Sequence, residues 1–364
     1  MRALVLLVLA TALGCAAGRP HGLASLTEGE IARLRARVAA DPEAARRVGT
    51  PRARADLAVT EEPHPIARLT TEGRLDGDPD KLATEKALAD MGRLEALGLA
   101  YALTGAPPYL AAIARDLDAW ARVNQPTGDP IDETSLEQAI VAFDLCAPAL
   151  APETRTRVAR WLERIAAAEI ASRRPGRGTA INNWNSHRLK LVGLIGYALD
   201  DGTLIDWARR GFEAQIAANL KPDGTSIDFV DRDALHYHVY DLVPLLRLAI
   251  VLARDGGHPY TWRAPSGATL AAGVAFLLPF ARGEAVHGEF VHTRVAFDRE
   301  RAANGQAAYQ PGRRFEPVEA RPALELAQFF EPDLVGLVGS LGDTGAAPWP
   351  TVRVLLNDAM RPAL

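Results

Sequence analysis

Ile181-Asn182-Asn183-Trp184-Asn185-Ser186-His187-Arg188-Leu189-Lys190-Leu191-Val192-Gly193-Leu194-Ile195-Gly196-Tyr197-Ala198-Leu199 is the stretch that decides the fold. In a helix over 183–199, Leu189, Leu191, Val192, Leu194, Ile195, Tyr197 and Leu199 leave no clean polar face, so other helices must enclose it. Its first turn is nevertheless polar. Asn183 and His187 stand one turn apart, with Trp184 three residues before His187, so amide, imidazole and indole share one side where a buried helix begins. Capping by Asn182 or Asn183, with a hydrogen-bonded buried histidine, would by itself account for that turn.

Outward from this helix, Ala- and Leu-rich segments with a period near 3.6 recur over 84–104, 108–123, 135–147, 152–171, 204–219, 236–254 and 267–281. Gly and Pro signals such as Thr104-Gly105-Ala106-Pro107-Pro108 and Asp255-Gly256-Gly257 close them. Alternating β-branched stretches are almost absent, and 289–297 is the best strand candidate. The expected fold is all-α: an (α/α) toroid or incomplete α/α barrel of successive antiparallel helix hairpins. No identity recurs at a fixed period, so the repetition is architectural. From about residue 283 the chain is richer in Gly, Pro and Arg and less periodic. That tail is expected to wrap the helical body, leaving 18–364 as a single domain.

The 364 residues are 48% hydrophobic and 24% charged, near globular averages, which excludes a disordered chain or a multi-span membrane protein. With 41 Lys+Arg against 45 Asp+Glu, the net charge of -4 excludes a general nucleic-acid binder. Two cysteines exclude a disulfide scaffold and a Cys-based zinc module. Arg2, the apolar run 3–13 and the small residues after it have the order of a secretory signal over 1–17, too short to span a bilayer. Ala12-Leu13-Gly14-Cys15 also resembles, imperfectly, a bacterial lipoprotein box with Cys15 as the lipid-bearing residue. Export to the periplasm, or anchoring at the outer membrane through Cys15, is expected. Cys146 then stands alone and packs as a small hydrophobe.

A second constellation follows the turn Lys221-Pro222-Asp223-Gly224-Thr225 and runs through Asp231-Arg232-Asp233-Ala234-Leu235-His236-Tyr237-His238-Val239-Tyr240. As a helix it places Leu235, Val239, Leu242 and Leu246 on the core stripe, with Asp233, His236, Tyr237 and Tyr240 opposite. Pro244 predicts a kink or a new start. His236 and His238 are two residues apart, about 200° around a helix, so they hold a metal only if the segment is extended. No metal or cofactor is expected. A serine elbow and a phosphate loop are both absent.

Glycoside hydrolysis would need two carboxylates flanking a bond, and Asp228, Asp231, Asp233 and Asp241 show no spacing that marks a pair. β-Elimination on a uronate polymer fits better. A base removes the proton at C5, an acid protonates the leaving oxygen, and donors stabilise the charge that spreads into the carboxylate. Asn and His can donate, Arg can clamp a carboxylate, and a Tyr beside positive charge can act as base and then acid.

At these residues the sequence resembles the alginate lyase family of α/α-toroid polysaccharide lyases. The resemblance rests on Gln125-Pro126-Thr127-Gly128-Asp129-Pro130-Ile131-Asp132-Glu133 before a helix ending Phe143-Asp144-Leu145, on Asn182-Asn183, and on Asp223-Gly224-Thr225 leading to Arg232 and Ala234-Leu235-His236-Tyr237-His238. It implies Tyr237 as proton donor and acceptor, and Asn183, His187 and Arg232 as neutralisers of the substrate carboxylate. Trp184, where characterised mannuronate lyases have histidine, marks a divergent branch, with His187 one turn later. Further substrate contacts are expected from Trp184, His236, Tyr240 and Arg188, with an anionic polysaccharide as the partner. A glycoside hydrolase on the same toroid and a non-catalytic polysaccharide-binding or export lipoprotein are the alternatives. Glu72, Arg74, Lys81 and Lys86 read first as solvated charge, Trp120 and Trp262 as core, and His287 and His292 as structural.

Overall fold

The computed structural model describes residues 20–342 and 352–361, so the expected signal over 1–17, with Cys15, lies outside the described residues. Helices α1 (Glu28–Ala40) and α2 (Pro42–Ala58) precede the first helix read from the periodicity, α3 (Pro79–Thr104). After them come α4 (Pro107–Val123), the single turn α5 (Pro130–Glu133), α6 (Glu137–Cys146), α7 (Pro152–Ser172), α8 (Asn183–Leu199) and α9 (Gly202–Asn219). The short α10 (Ile227–Arg232) leads into α11 (Leu235–Arg254) and α12 (Leu270–Ala281). The tail carries α13 (Ala296–Ala303), α14 (Arg321–Ala327), α15 (Val335–Ser340) and α16 (Val352–Met360).

Helices α3, α6, α8, α11 and α14 pack side by side in that order as an inner layer; α4 backs α3, α7 and α9 back α8, and α12 backs α11. This is an α/α toroid, all-α as the patterning implies. α8 is its middle stave. Leu189, Leu191, Leu194 and Ile195 are at most 1% exposed, each such burial stabilising by about 1.5–3 kcal/mol. Gly193 lets α8 pack this closely, since a Cβ there would stand 2.5 Å from a methyl of Leu248 on α11. Trp120 and Cys146 are buried, the former donating to Asp90 at 2.8 Å.

Three expectations need correction. The stretch 289–297 forms no strand: the isolated bridge of Gly288 with Arg314 lies just before it, Phe290 turns the chain at φ 61°, and α13 begins at Ala296. The tail does more than wrap, since α14 completes the inner layer against α11. Of the two outcomes expected at Pro244, the new start does not occur: α11 runs from Leu235 to Arg254 with the proline inside it.

The inner layer has two distinct ends. At one, Arg247 and Arg254 of α11 hold the carbonyls of Gly22, Leu23, Ala24 and Ser25, and Ser25 donates to Asp144 of α6. That end is sealed. At the other stand the first turns of α6, α8 and α11, and there the polar residues collect.

Candidate active site

Beneath the first turn of α8 lies a buried polar layer. Asn182 caps the helix, accepting from the Trp184 N–H at 3.1 Å. Asn183 donates its backbone N–H at 2.8 Å, and its side-chain amide as well, to Asp228 of α10. Burial pushes the Asp228 carboxyl up to about 6, although the Asn183 bonds oppose this. Ser186 donates to Asp241 at 2.6 Å, and Gln215 ties the carbonyls of Ile181 and Asn182 to the Ser186 hydroxyl.

His187 is 3% exposed. Nδ1 lies 2.6 Å from the Thr134 hydroxyl, and that same hydroxyl receives the Lys190 ammonium at 2.8 Å. With one lone pair of the hydroxyl taken by the ammonium, a hydroxyl proton directed at Nδ1 and a ring proton on Nε2 is the arrangement that also suits the Tyr240 carbonyl on the other side of the ring. Burial, then the charge of Lys190, holds the imidazole well below its ordinary pKa, so it stays neutral. Pro244 has no N–H to offer the Tyr240 carbonyl one helical turn back. That carbonyl favours an N–H on the imidazole, although Nε2 reaches no hydrogen-bonding geometry with any described residue. Behind Lys190, Glu137 accepts from it at 2.8 Å and from Arg247 at 2.6 Å. Burial would raise that carboxyl, yet the two cations hold it down to about 2.

Tyr240 stands over this imidazole, ring centroids 4.4 Å apart, and is half-buried. On its other side is Tyr237, 6.1 Å away and 6% exposed, packed with Ala234 and Phe290. The Tyr237 hydroxyl accepts from Arg301 of α13 at 2.7 Å, and the Arg232 guanidinium lies 3.8 Å above its ring while ion-paired to Asp298. Burial raises both phenols; Arg232 and Arg301 oppose this at Tyr237, and the charge of Glu72 adds to it at Tyr240.

The segment 70–77 bridges this cluster. Asp132 of α5 accepts from the N–H groups of Thr71 and Glu72 at 2.6 and 2.7 Å, and at the far end Asn304, just past α13, donates to the Asp76 carbonyl at 3.3 Å. Glu72 and Asp129 are thereby brought to the same face, each carboxyl raised first by burial.

The sequence matches the family model described as alginate lyase over residues 37–287, more than half of the chain. The chain belongs to the alginate lyase family. It is accordingly a polysaccharide lyase, a carbon–oxygen lyase. Among solved structures, an alginate lyase from Bacteroides ovatus is 17% identical with a TM-score of 0.67, over 90% of this chain and 97% of that one. Alginate lyase A1-III from Sphingomonas species A1 is 20% identical with a TM-score of 0.56, over 74% and 81%. A variant of A1-III complexed with a tetrasaccharide is 22% identical with a TM-score of 0.59, over 74% and 80%. No curated protein matches the sequence.

Within this lyase fold the residues singled out from sequence are partly gathered and partly dispersed. His187, Tyr240, Tyr237 and Arg232 share one face, and Trp184 is partly exposed at its edge. Asn183 adjoins it with one amide N–H spent on Asp228. Arg188 is not brought to that face: it is buried against α7, donating to the Glu169 carbonyl at 2.9 Å and to Ser172 at 3.2 Å, because its position on α8 faces the outer layer. His236 packs edge-on against Tyr237 and Tyr309, ring centroids 5.2 and 6.2 Å away, and burial lowers it to about 4. His287 is structural, bonded to the Asp233 carbonyl at 3.1 Å. Arg301, Thr134 and Asp129 were not legible as site residues. Arg301 lies in the aperiodic tail, and Thr134 and Asp129 carry no spacing relation to the histidine and phenol they approach.

Proposed function

We propose that the protein cleaves a uronate polymer of the alginate type by β-elimination, with Tyr240 removing the C5 proton and returning a proton to the departing oxygen. The observation that carries the assignment is the position of Tyr240. It is the phenol that adjoins both the neutral His187 imidazole and the Tyr237–Arg301 pair, and it is the more exposed of the two tyrosines. Tyr237, expected from sequence in this role, has its oxygen engaged by Arg301 and its ring covered by Arg232, an arrangement better suited to holding those arginines. Among the described residues no hydrogen bond engages the Tyr240 hydroxyl. His187, and the amide N–H of Asn183 that Asp228 does not take, supply donors for the charge that develops on the carboxylate.

One group serving as base and acid requires the C5 proton and the leaving oxygen on the same face of the sugar. Mannuronate and glucuronate meet that condition; guluronate, the C5 epimer, does not. Incubation with polymannuronate, glucuronan and polyguluronate, followed by near-ultraviolet absorbance of the unsaturated end, tests the reading. Product from the first two and little from the third is expected; no unsaturated product from any uronate polymer refutes it.

We infer from the export signal expected over 1–17 that the reaction takes place outside the cytoplasm, and fractionation of cells carrying the wild type and Cys15→Ser tests both the export and the anchor.

A further inference from the structure

We propose that Arg301 is the residue that clamps the substrate carboxylate, and that Asp298, Arg232 and Tyr237 position it. This rests on the lyase reading above. Residue 301 lies beyond residue 287, where the family match ends, so no correspondence with the family assigns it.

The argument begins with charge. Two guanidinium groups face one buried carboxylate, Asp298, which is 1% exposed. Arg232 takes the direct pair, and Thr293 donates its hydroxyl to the other oxygen at 2.8 Å. Arg301 approaches Asp298 only to 3.9 Å, well outside the 2.7–2.9 Å of a charge-assisted hydrogen bond. Asp298 is therefore spent on Arg232, and no carboxylate stands at hydrogen-bond distance from Arg301 among the described residues. Glu72, the acid on the bridging segment, acts on Arg301 only through space.

The side chain is also held in place. Its guanidinium lies 4.2 Å from the Phe297 ring centroid and 4.6 Å from that of Tyr309, while one N–H is bonded to the Tyr237 oxygen. Two rings, a phenol and a distant carboxylate fix the plane of the guanidinium, and its other N–H groups find no partner among the described residues. None of these nitrogens is sealed from solvent. A planar fork with unfilled donors matches a carboxylate in two-pronged fashion. Its neighbour Tyr237 adjoins Tyr240, so an anion bound there sits beside the group that takes the C5 proton. Arg232 cannot serve equally, because its charge is met by Asp298 and one face is spent on Tyr237.

The test compares wild type, Arg301→Gln and Arg301→Lys on a polyuronate and on its methyl ester, by turnover or by competitive inhibition, with thermal melts confirming that each variant folds. The ester keeps an activated C5 proton but loses the anion. Arg301→Gln is expected to lower kcat/KM on the acid polymer tenfold or more and to change recognition of the ester less than threefold, with Arg301→Lys between. Equal losses on acid and ester, or a Gln variant that keeps a third of wild-type kcat/KM on the acid, overturn the proposal. Failure of the lyase reading looks different: wild type then forms no unsaturated product.

Discussion

Replacing Thr134 by valine removes one hydroxyl and keeps the side-chain shape. In the native structure that oxygen receives Lys190 at 2.8 Å and lies 2.6 Å from His187 Nδ1, to which it donates when the ring proton is on Nε2. Lys190 keeps the residue-134 carbonyl at 3.1 Å and Glu137 at 2.8 Å, so its charge remains satisfied. Nδ1 is left without a partner in a residue 3% exposed. An unsatisfied buried acceptor costs about 1–3 kcal/mol, and the same loss expressed in the transition state is roughly fivefold to a hundredfold in kcat. Thr134→Val is therefore expected to lower unfolding stability by that amount in urea and to slow turnover. Thr134→Ser, which restores the hydroxyl, recovers most of the rate. Nitrogen-15 NMR of the imidazole reads the cause directly, with a proton on Nε2 in the wild type and a changed tautomer ratio in Val. Unchanged nitrogen shifts together with an unchanged kcat would refute the tautomer argument.

Two further predictions concern stability. His238 is fully buried, accepting from Ser226 at Nδ1 and donating to the Gly273 carbonyl from Nε2, and burial lowers it to about 4. Between about pH 6.5 and 4 the unfolded chain then binds a proton that the folded chain does not, so this group's contribution is lost as pH falls; the loss approaches about 3 kcal/mol. Urea titrations at pH 7 and 4 should show a correspondingly weaker pH dependence in His238→Asn, and identical pH dependence would contradict it. Gly224→Ala should destabilise strongly, by several kcal/mol, because φ is +89° and a Cβ would stand 2.2 Å from the Ala272 carbonyl oxygen of α12. A thermal melt within a degree of wild type would show that the turn relaxes at little cost.

How far the sequence could be read follows from the physics of each element. Helix α8 was legible at both ends, since Asn182 is a capping residue and Asp200 adopts the left-handed conformation that stops it. The core stripe of α11 was legible from periodicity: Leu235, Leu242 and Leu246 are fully buried and Val239 nearly so. The effect of Pro244 was not, because a helix enclosed by α8, α12 and α14 tolerates a missing hydrogen bond. Helices α1 and α2 carried local signals that went unread: a Thr27–Glu30 capping box opens α1, and an Asp41 cap followed by Pro42 opens α2. The site divides the same way. The two tyrosines sit on α11, whose facing its core stripe sets, and Asn183 and His187 share the polar first turn of α8. Arg188 was misplaced because an all-round buried helix gives no sign of which side meets α7 and which meets the site. Arg301 and Glu72 reach the cluster from segments without periodicity, and only tertiary packing brings them there.

The central claim is that Tyr240, not Tyr237, moves the proton. Its most direct test is the initial rate of unsaturated product from polymannuronate or glucuronan for Tyr240→Phe and Tyr237→Phe, each shown by thermal melt to be folded. Tyr240→Phe should lose turnover by several orders of magnitude while still binding polymer, and Tyr237→Phe should keep a measurable rate. Substantial activity in Tyr240→Phe, with activity abolished in Tyr237→Phe, would contradict the account and return the proton to Tyr237.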